Sequence, residues 1–599
     1  MIGRYYYSRA LNRYLKQDFS SFKVLELDLK NNEITPKNMI SLASRLKQCT
    51  NLRRFTLLLR NSKINDDGIS NFASELPNFI QIQSLTLYLK DNKISEKGLE
   101  NLSCSFTKCQ NLKSLNLNLS YNKIGNEGII SMSKSFLDCL YLEELDLNLS
   151  QTGINEQTVD TLSSNISKCA LLKTLSINLS KNNIDSQGSA GLFPSLLNIQ
   201  SLINLKLKLK KNNFQFKQDL ASSIPLNGCQ NLESFSLNLA CNKIQVQGII
   251  FLASIIDQLT NLVSLSINLN ENKIDEEISS NLGSLLKDCT KIQCLRLEIE
   301  KNTIGDQGMS QLAQVLINCQ NINNLNLNFS QNELNSKEAI NLANILQKLP
   351  KLQNLHIDFK DNEINQQGVQ NLGNSLAICQ NLKSLSLSMP SNNMGKEEAS
   401  FLGSNLGRST SIQSLVIDLG YNEINADGIK DFLLGLKNCV CLTNLNLKVP
   451  DNNFRQNAVV KLGQALALFE NLRNLNLDLS ENKIQSEGIQ NLCSDLAKCP
   501  NLVSLKFNLV NNKIGSKGLS QIASSLKKFK NLLSLSLLLC YNSIGQKGAM
   551  DLSQALKENM TLIDLYIDIN ENHHEQGSKA IDVKTLKMRR LVNRIIEEY

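Results

Sequence analysis

The sequence predicts an α/β solenoid of stacked strand–helix modules, and three observations carry that reading. Apolar triplets recur every 30 residues, from Leu25, Leu27 and Leu29 to Leu565, Ile567 and Ile569, in nineteen copies without an insertion. Within each copy the apolar spacing changes from two, the period of a strand, to i, i+3, i+7, i+10 at Met39, Leu42, Leu46 and Cys49, the stripe of one helical face. One short strand and one half-apolar helix cannot enclose a core, so each module must bury its apolar face against its neighbours.

Residues 1–21 come before the first module and are expected to cap it. They are basic and rich in tyrosine (Arg4, Tyr5, Tyr6, Tyr7, Arg9, Arg13, Tyr14), as suits the exposed end of an apolar array. Residues 22–572 hold the nineteen modules, each read as strand, turn, helix, turn. Successive strands then run parallel, with each helix as a right-handed crossover. Three residues after the triplet stands an Asn (Asn32, Asn92, Asn122, Asn182 and onward to Asn572), replaced only by Ser62 and Thr152. A turn inside a solenoid leaves backbone donors and acceptors that must be paired, and an amide side chain offers both. Residues 573–599 are expected to form a capping helix, apolar at Ala580, Val583, Leu586, Leu591 and Ile595 and basic at Lys584, Lys587, Arg589, Arg590 and Arg594.

The pattern of Leu112, Leu115, Leu117, Asn122 and Ile124 followed by a helix resembles the leucine-rich repeat. Its helical second half is similar to the ribonuclease-inhibitor-like subclass. The usual LxxLxLxxNxL here reads LxxLxLxLxxNxI, two residues longer in the strand. The resemblance implies a curved horseshoe or superhelix with strands on the concave face and helices on the convex face. It also implies that the Asn column hydrogen-bonds adjacent turns as a ladder.

A longer period overlies the first. Gly occupies the helix-entry column at Gly128, Gly188, Gly248, Gly308, Gly368, Gly428 and Gly488, while interleaved copies carry Thr158, Gln218, Ile278, Glu338, Glu398 and Ala458. Duplication of two-module blocks accounts for it and implies no activity.

Composition and motifs exclude several function classes. Of 16 cysteines, ten share one column (Cys49, Cys109, Cys139, Cys169, Cys229, Cys289, Cys319, Cys379, Cys439, Cys499) that where Cys is absent usually holds Phe, Ile or Leu, as a buried apolar site does. There is no CxxC and there are three His, so zinc-ligand spacing is missing. Reduced thiols and the absence of a secretory h-region point to a cytoplasmic protein. The formal net charge of +8 is concentrated at the two ends rather than in a stripe along the array, which argues against nucleic acid. No phosphate-binding Gly loop, HExxH or GxSxG is present, and no unique carboxylate pair stands out. The expectation is therefore no enzyme, no cofactor, no metal, no membrane span and no small-molecule substrate.

What remains is a protein-interaction scaffold with unidentified protein partners. Two alternatives stay open: a regulator of an enzyme, such as a GTPase activator of the Ran type, and a component of a cytoskeletal or ciliary assembly. Candidate partner-binding residues are the outward strand positions that depart from plain Asn and Ser or sit centrally among them: Tyr88, Asn118, Asn148, Lys206, Lys208, Arg296, Glu298, Asp358, Asp418, Asp478 and Tyr566.

Overall fold

The computed structural model describes residues 5–8, 22–185, 187–214, 229–287, 289–559, 561–572 and 593–595. The chain forms two units, Met1–Asn302 and Thr303–Tyr599, built from the same element order. In the first, parallel strands follow in chain order from Tyr5–Ser8 through Val24–Asp28 to Cys294–Glu298. In the second they run from Asn324–Asn328 to Asp564–Asp568 and then Asn593–Ile595. Partners in register stand 30 residues apart, as Leu85 opposite Leu115 and Leu475 opposite Leu505.

The alternation sets which residues face inward. Strand burial is buried at the triplet and half-exposed between, as in Ser114–Asn118, because successive side chains point to opposite faces. The third triplet member (Leu119, Leu149) lies just past the strand and is also buried. Helices bury the expected stripe, for example Gly518, Leu519, Ile522, Ala523 and Leu526 in Gly515–Leu526. Many helices start at a side-chain cap in one column: the Asn425 amide oxygen accepts from Asp427 N and Gly428 N, both at 3.0 Å.

The helix-entry Gly column has a packing reason. A Cβ on Gly428 would stand 2.9 Å from Lys396 Cα, the first residue of the preceding helix. Lys396–Leu406 and Ala426–Leu436 also approach closely, since a Cβ on Gly403 would meet Phe432 O at 2.1 Å.

Two expectations are corrected. The module at 265–292 does not carry a continuous helix: Glu276–Ser279 is one α-turn and Leu282–Leu286 a 3-10 segment. Ser280 and Asn281 between the two segments, and Gly283 and Ser284 in the second, are poor helix formers, and Ser280 and Ser284 Oγ donate to Glu277 O and Asn281 O. At the C-terminal end, where a capping helix is expected, Asn593–Ile595 instead forms a strand pairing parallel with Asp564–Tyr566. The rest of 573–599 lies outside the described residues, as does most of 1–21, of which Tyr5–Ser8 adds a strand beside Val24–Leu27.

Candidate functional site

The ladder accounts for the repeated Asn column as scaffold. Asn272 Oδ1 accepts from Asn242 N and Ile244 N at 3.1 and 3.4 Å, and its Nδ2 donates to Leu239 O, Leu269 O and Asn270 O at 2.9, 2.9 and 3.2 Å. Ser62 keeps the donor half of this role, bonding Leu29 O at 3.0 Å, while its own carbonyl accepts from Ile34 N at 3.0 Å in place of an amide oxygen.

The described side chains of the cysteine column are equally inward. Cys109 and Cys139 are buried, with Sγ directed at the carbonyls of Leu76 and Phe106 at 3.8 and 3.7 Å. Burial pushes both thiols up to about 12, so they hold their protons and are poor nucleophiles. Among the described residues no group of three or more His, Cys, Asp or Glu could hold a metal ion, and no helix is long and apolar enough to cross a membrane.

What faces outward is the strand surface, and every candidate residue named from sequence lies on it. Tyr88, Asn118 and Asn148 are in-register neighbours across three strands. Arg296 pairs with Glu298 two residues along its own strand, Nε donating to Oε1 at 2.6 Å. Asp358, Asp418 and Asp478 are half-buried on three separate strands, and Tyr566 is half-buried on the strand Asp564–Asp568.

The geometry changes how several of these residues read. The last residue of most strands is Asn or Asp, and its side-chain oxygen accepts the N–H two residues on, closing the turn. Asn118 Oδ1 takes Ser120 N at 3.1 Å and Ser120 Oγ at 2.7 Å; Asn148 does the same to Ser150 at 3.1 and 2.8 Å. Asp358 takes Lys360 N at 2.9 Å, Asp418 takes Gly420 N at 3.2 Å, and Asp478 takes Ser480 N at 3.0 Å and Oγ at 2.6 Å. Such local side chain to backbone bonds favour turns. Asn118, Asn148 and the three Asp therefore serve the scaffold as well as the surface.

Lys206 and Lys208 differ. Both are exposed on the strand Asn204–Lys208, with Ser176, Asn178, Ser236 and Asn238 beside them. Sequence reasoning passed over their continuation in Lys210 and Lys211, which stand in the turn that follows. It also passed over Tyr121, which anchors a basic row along the turns. Lys90 and Lys181 Nζ lie 4.7 and 5.5 Å from its ring centre, and Lys181 donates to its hydroxyl at 3.0 Å. That donated bond lowers the phenol's pKa. The signal was present as a run of four lysines in six residues, but it was read as two strand positions rather than one patch.

One carboxyl pair was also missed. Buried Glu338 fills a helix-entry position that is Gly in neighbouring modules, and it meets Asp306 of the preceding helix. Desolvation and the Asp306 carboxylate raise it to about 7, while the hydrogen bond from Glu338 lowers Asp306. Glu338 Oε2 also accepts Asn335 N at 2.9 Å, completing a capping box. The pair is packed between helices, which assigns it to the scaffold. On the strand face of the second unit, a shallow furrow of about 280 Å³ runs past Ser414, Val416, Asn446, Asn476 and Lys506, of which Lys506 carries the charge.

Comparison with known proteins agrees at the level of the repeat. The leucine-rich repeat family model matches residues 108–133 and 471–493, each spanning the turn before a strand, the strand and most of the helix that follows. No curated protein matches significantly. Among solved structures that match, one described as the crystal structure of a TLR13–ssRNA13 complex is 16% identical, with a TM-score of 0.43, 92% of this chain covered and 79% of that one. The two stretches that match the leucine-rich repeat model fall one in each unit, within an arrangement of strands paired in parallel, intervening helices and a buried Asn ladder.

Proposed function

We propose that the chain is a non-enzymatic protein-interaction scaffold whose partner surface is the exposed strand face, and that its repeats are of the ribonuclease-inhibitor-like subclass. The observation that carries the proposal is the division of labour in every repeat. The apolar triplets, the helix stripe and the ladder amides are turned inward and used up by the scaffold. The strand face offers a row of polar groups, assembled from successive modules in register. A surface repeated at a fixed pitch suits recognition of an extended partner, because each module adds a small contact area to one continuous patch.

Cross-linking of the native protein with lysine-reactive reagents tests this. The expected result is partner cross-links at strand-face lysines, Lys206, Lys208, Lys448 and Lys506, in excess of links at helix lysines such as Lys134 or Lys517. Partner links confined to the helices would overturn the assignment of the face, and the absence of any protein partner would overturn the scaffold reading itself. A purified chain that accelerates GTP hydrolysis by small GTPases would replace it with the enzyme-regulator reading.

A further inference from the structure

We propose that Lys206, Lys208, Lys210 and Lys211, with Lys181 and Tyr121 beside them, form a docking site for an extended acidic segment of a partner protein. The proposal deepens the scaffold reading and rests on it.

The first argument is that these charges have no internal use. Among the described residues, no ion pair or side-chain hydrogen bond is formed by Lys206, Lys208, Lys210 or Lys211. Elsewhere in the first unit, some strand-side charges are neutralised locally: Glu143 takes Lys113 and Lys173 at 3.0 and 2.7 Å, which holds its carboxyl down at about 2, and Arg296 takes Glu298. Four like charges within six residues repel one another, and the strands on both sides supply Ser and Asn rather than carboxylates.

The second argument is that the patch replaces a structural device. At the position of Lys208, the neighbouring strands carry Asn178 and Asn238, whose oxygens accept Ser180 N and Ala240 N at 3.1 and 3.0 Å and close the turn. Lysine has no acceptor, so this repeat gives up that bond. The two Asn, with their oxygens so engaged, present their NH₂ groups on either side of the lysines. The face is therefore rich in donors, complementary to carboxylates and to the carbonyls of an extended chain.

Geometry selects the class of partner. Lys206 and Lys208 project from one face of a strand, roughly 7 Å apart, the same spacing as carboxylates at alternate positions of an extended peptide. Lys210 and Lys211 continue the positive potential into the turn, and Lys181, held by the Tyr121 hydroxyl, extends it across neighbouring modules. Nucleic acid fits less well: the Tyr121 ring is already engaged by Lys90 and Lys181 rather than open to a base.

The test uses the full chain and a short fluorescent peptide of alternating Glu and Ser, followed by anisotropy at physiological ionic strength. Binding is expected to the wild type, to weaken by about tenfold or more in the double variant Lys206→Gln/Lys208→Gln, and to weaken with added salt. Lys506→Gln, on the second unit's strand face, is expected to bind as the wild type does. The lysines are exposed, so an unchanged thermal transition in the double variant shows that folding is intact. Equal binding by the double variant overturns the proposal, as does tighter binding of an oligothymidylate of matched charge. If the peptide fails to bind while native partners cross-link to other strand-face positions, the acidic-segment proposal falls and the scaffold reading stands.

Discussion

The strand face of the first unit at Lys206–Lys211 and that of the second unit at Asp418 and Asp478 present opposite charges on the same backbone, yet the two are not mirror images. Asp418 closes its turn through Gly420 N, and its other oxygen lies 3.4 Å from Lys448 Nζ. Asp478 binds Ser480 twice and accepts Asn508 Nδ2 at 2.9 Å. These carboxylates are largely consumed by the fold, whereas the lysines are not. A count of charged residues on a repeat surface thus overstates what is on offer, because acidic side chains can also act as turn acceptors and basic ones cannot.

The largest expected effect tests the consumed extreme. Asn542 is fully buried; its Oδ1 accepts Asn512 N and Ile514 N, and its Nδ2 donates to Leu509 O at 2.7 Å and to Leu539 O and Cys540 O at 3.0 Å. Asn542→Ala leaves those groups without partners and is expected to destabilise its neighbourhood by about 2–4 kcal/mol. Amide hydrogen exchange of the flanking strands reads the effect locally, as suits a solenoid that opens in segments. Protection equal to wild type would remove the ladder from the list of structural devices.

Next in size is a carboxyl consumed in a different way. Glu338 is raised from 4.5 to about 7 by burial and by its bond to Asp306. Its folded form holds the proton more tightly than its unfolded form, so the stabilisation is fully present below about 4.5 and is lost as pH rises through about 7. Protection of the helices Gly305–Leu316 and Ser336–Leu346 is therefore expected to fall between pH 5 and 8. Glu338→Gln, which keeps a donor toward Asp306, is expected to flatten that dependence and to be the more stable form at the upper end, by on the order of 1–2 kcal/mol. A pH dependence unchanged in the variant would assign it to other groups.

These contrasts also mark what the sequence made legible. The apolar triplets, the buried thiol column and the Asn ladder are one-letter regularities imposed by burial, and burial tolerates few residue types. The second Asn ladder was missed: Asn111, Asn231, Asn381 and Asn501 donate from the helix-to-strand turn to Ile80 O, Gln200 O, Pro350 O and Glu470 O at 2.7–2.9 Å. Its column also holds Tyr141, Leu171 and Cys441, because that edge is exposed and water can replace the amide. Less legible still is the residue before each ladder Asn. It is left-handed in every repeat, at φ of 44–63°, yet it is Asn31, Asp91, Tyr121, Lys211, Cys241 or Glu481 and never Gly. Backbone bonds between modules, such as Lys211 N to Ala240 O at 2.9 Å, fix that conformation without regard to the side chain. The Lys206–Lys211 patch was half seen, since periodic reading assigns two of its lysines to the strand and discards the two in the turn.

The smallest effect separates the two faces most directly. If Lys208 has given up a turn-closing acceptor, Lys208→Asn should restore it, with Oδ1 accepting Lys210 N as Asn178 and Asn238 do for Ser180 and Ala240. The gain expected is one partly exposed hydrogen bond and the relief of one like charge, about 0.5–1 kcal/mol, read as slower exchange of the Lys210 amide. The same substitution should weaken the acidic peptide, since it removes an ammonium from the centre of the patch. Asp478→Asn, which keeps the turn acceptor, should leave exchange at Ser480 nearly unchanged. Opposite signs for stability and binding at Lys208, against near-neutrality at Asp478, would show that this repeat exchanges a structural bond for a recognition group. Loss of stability at Lys208→Asn would show instead that the lysine belongs to the scaffold.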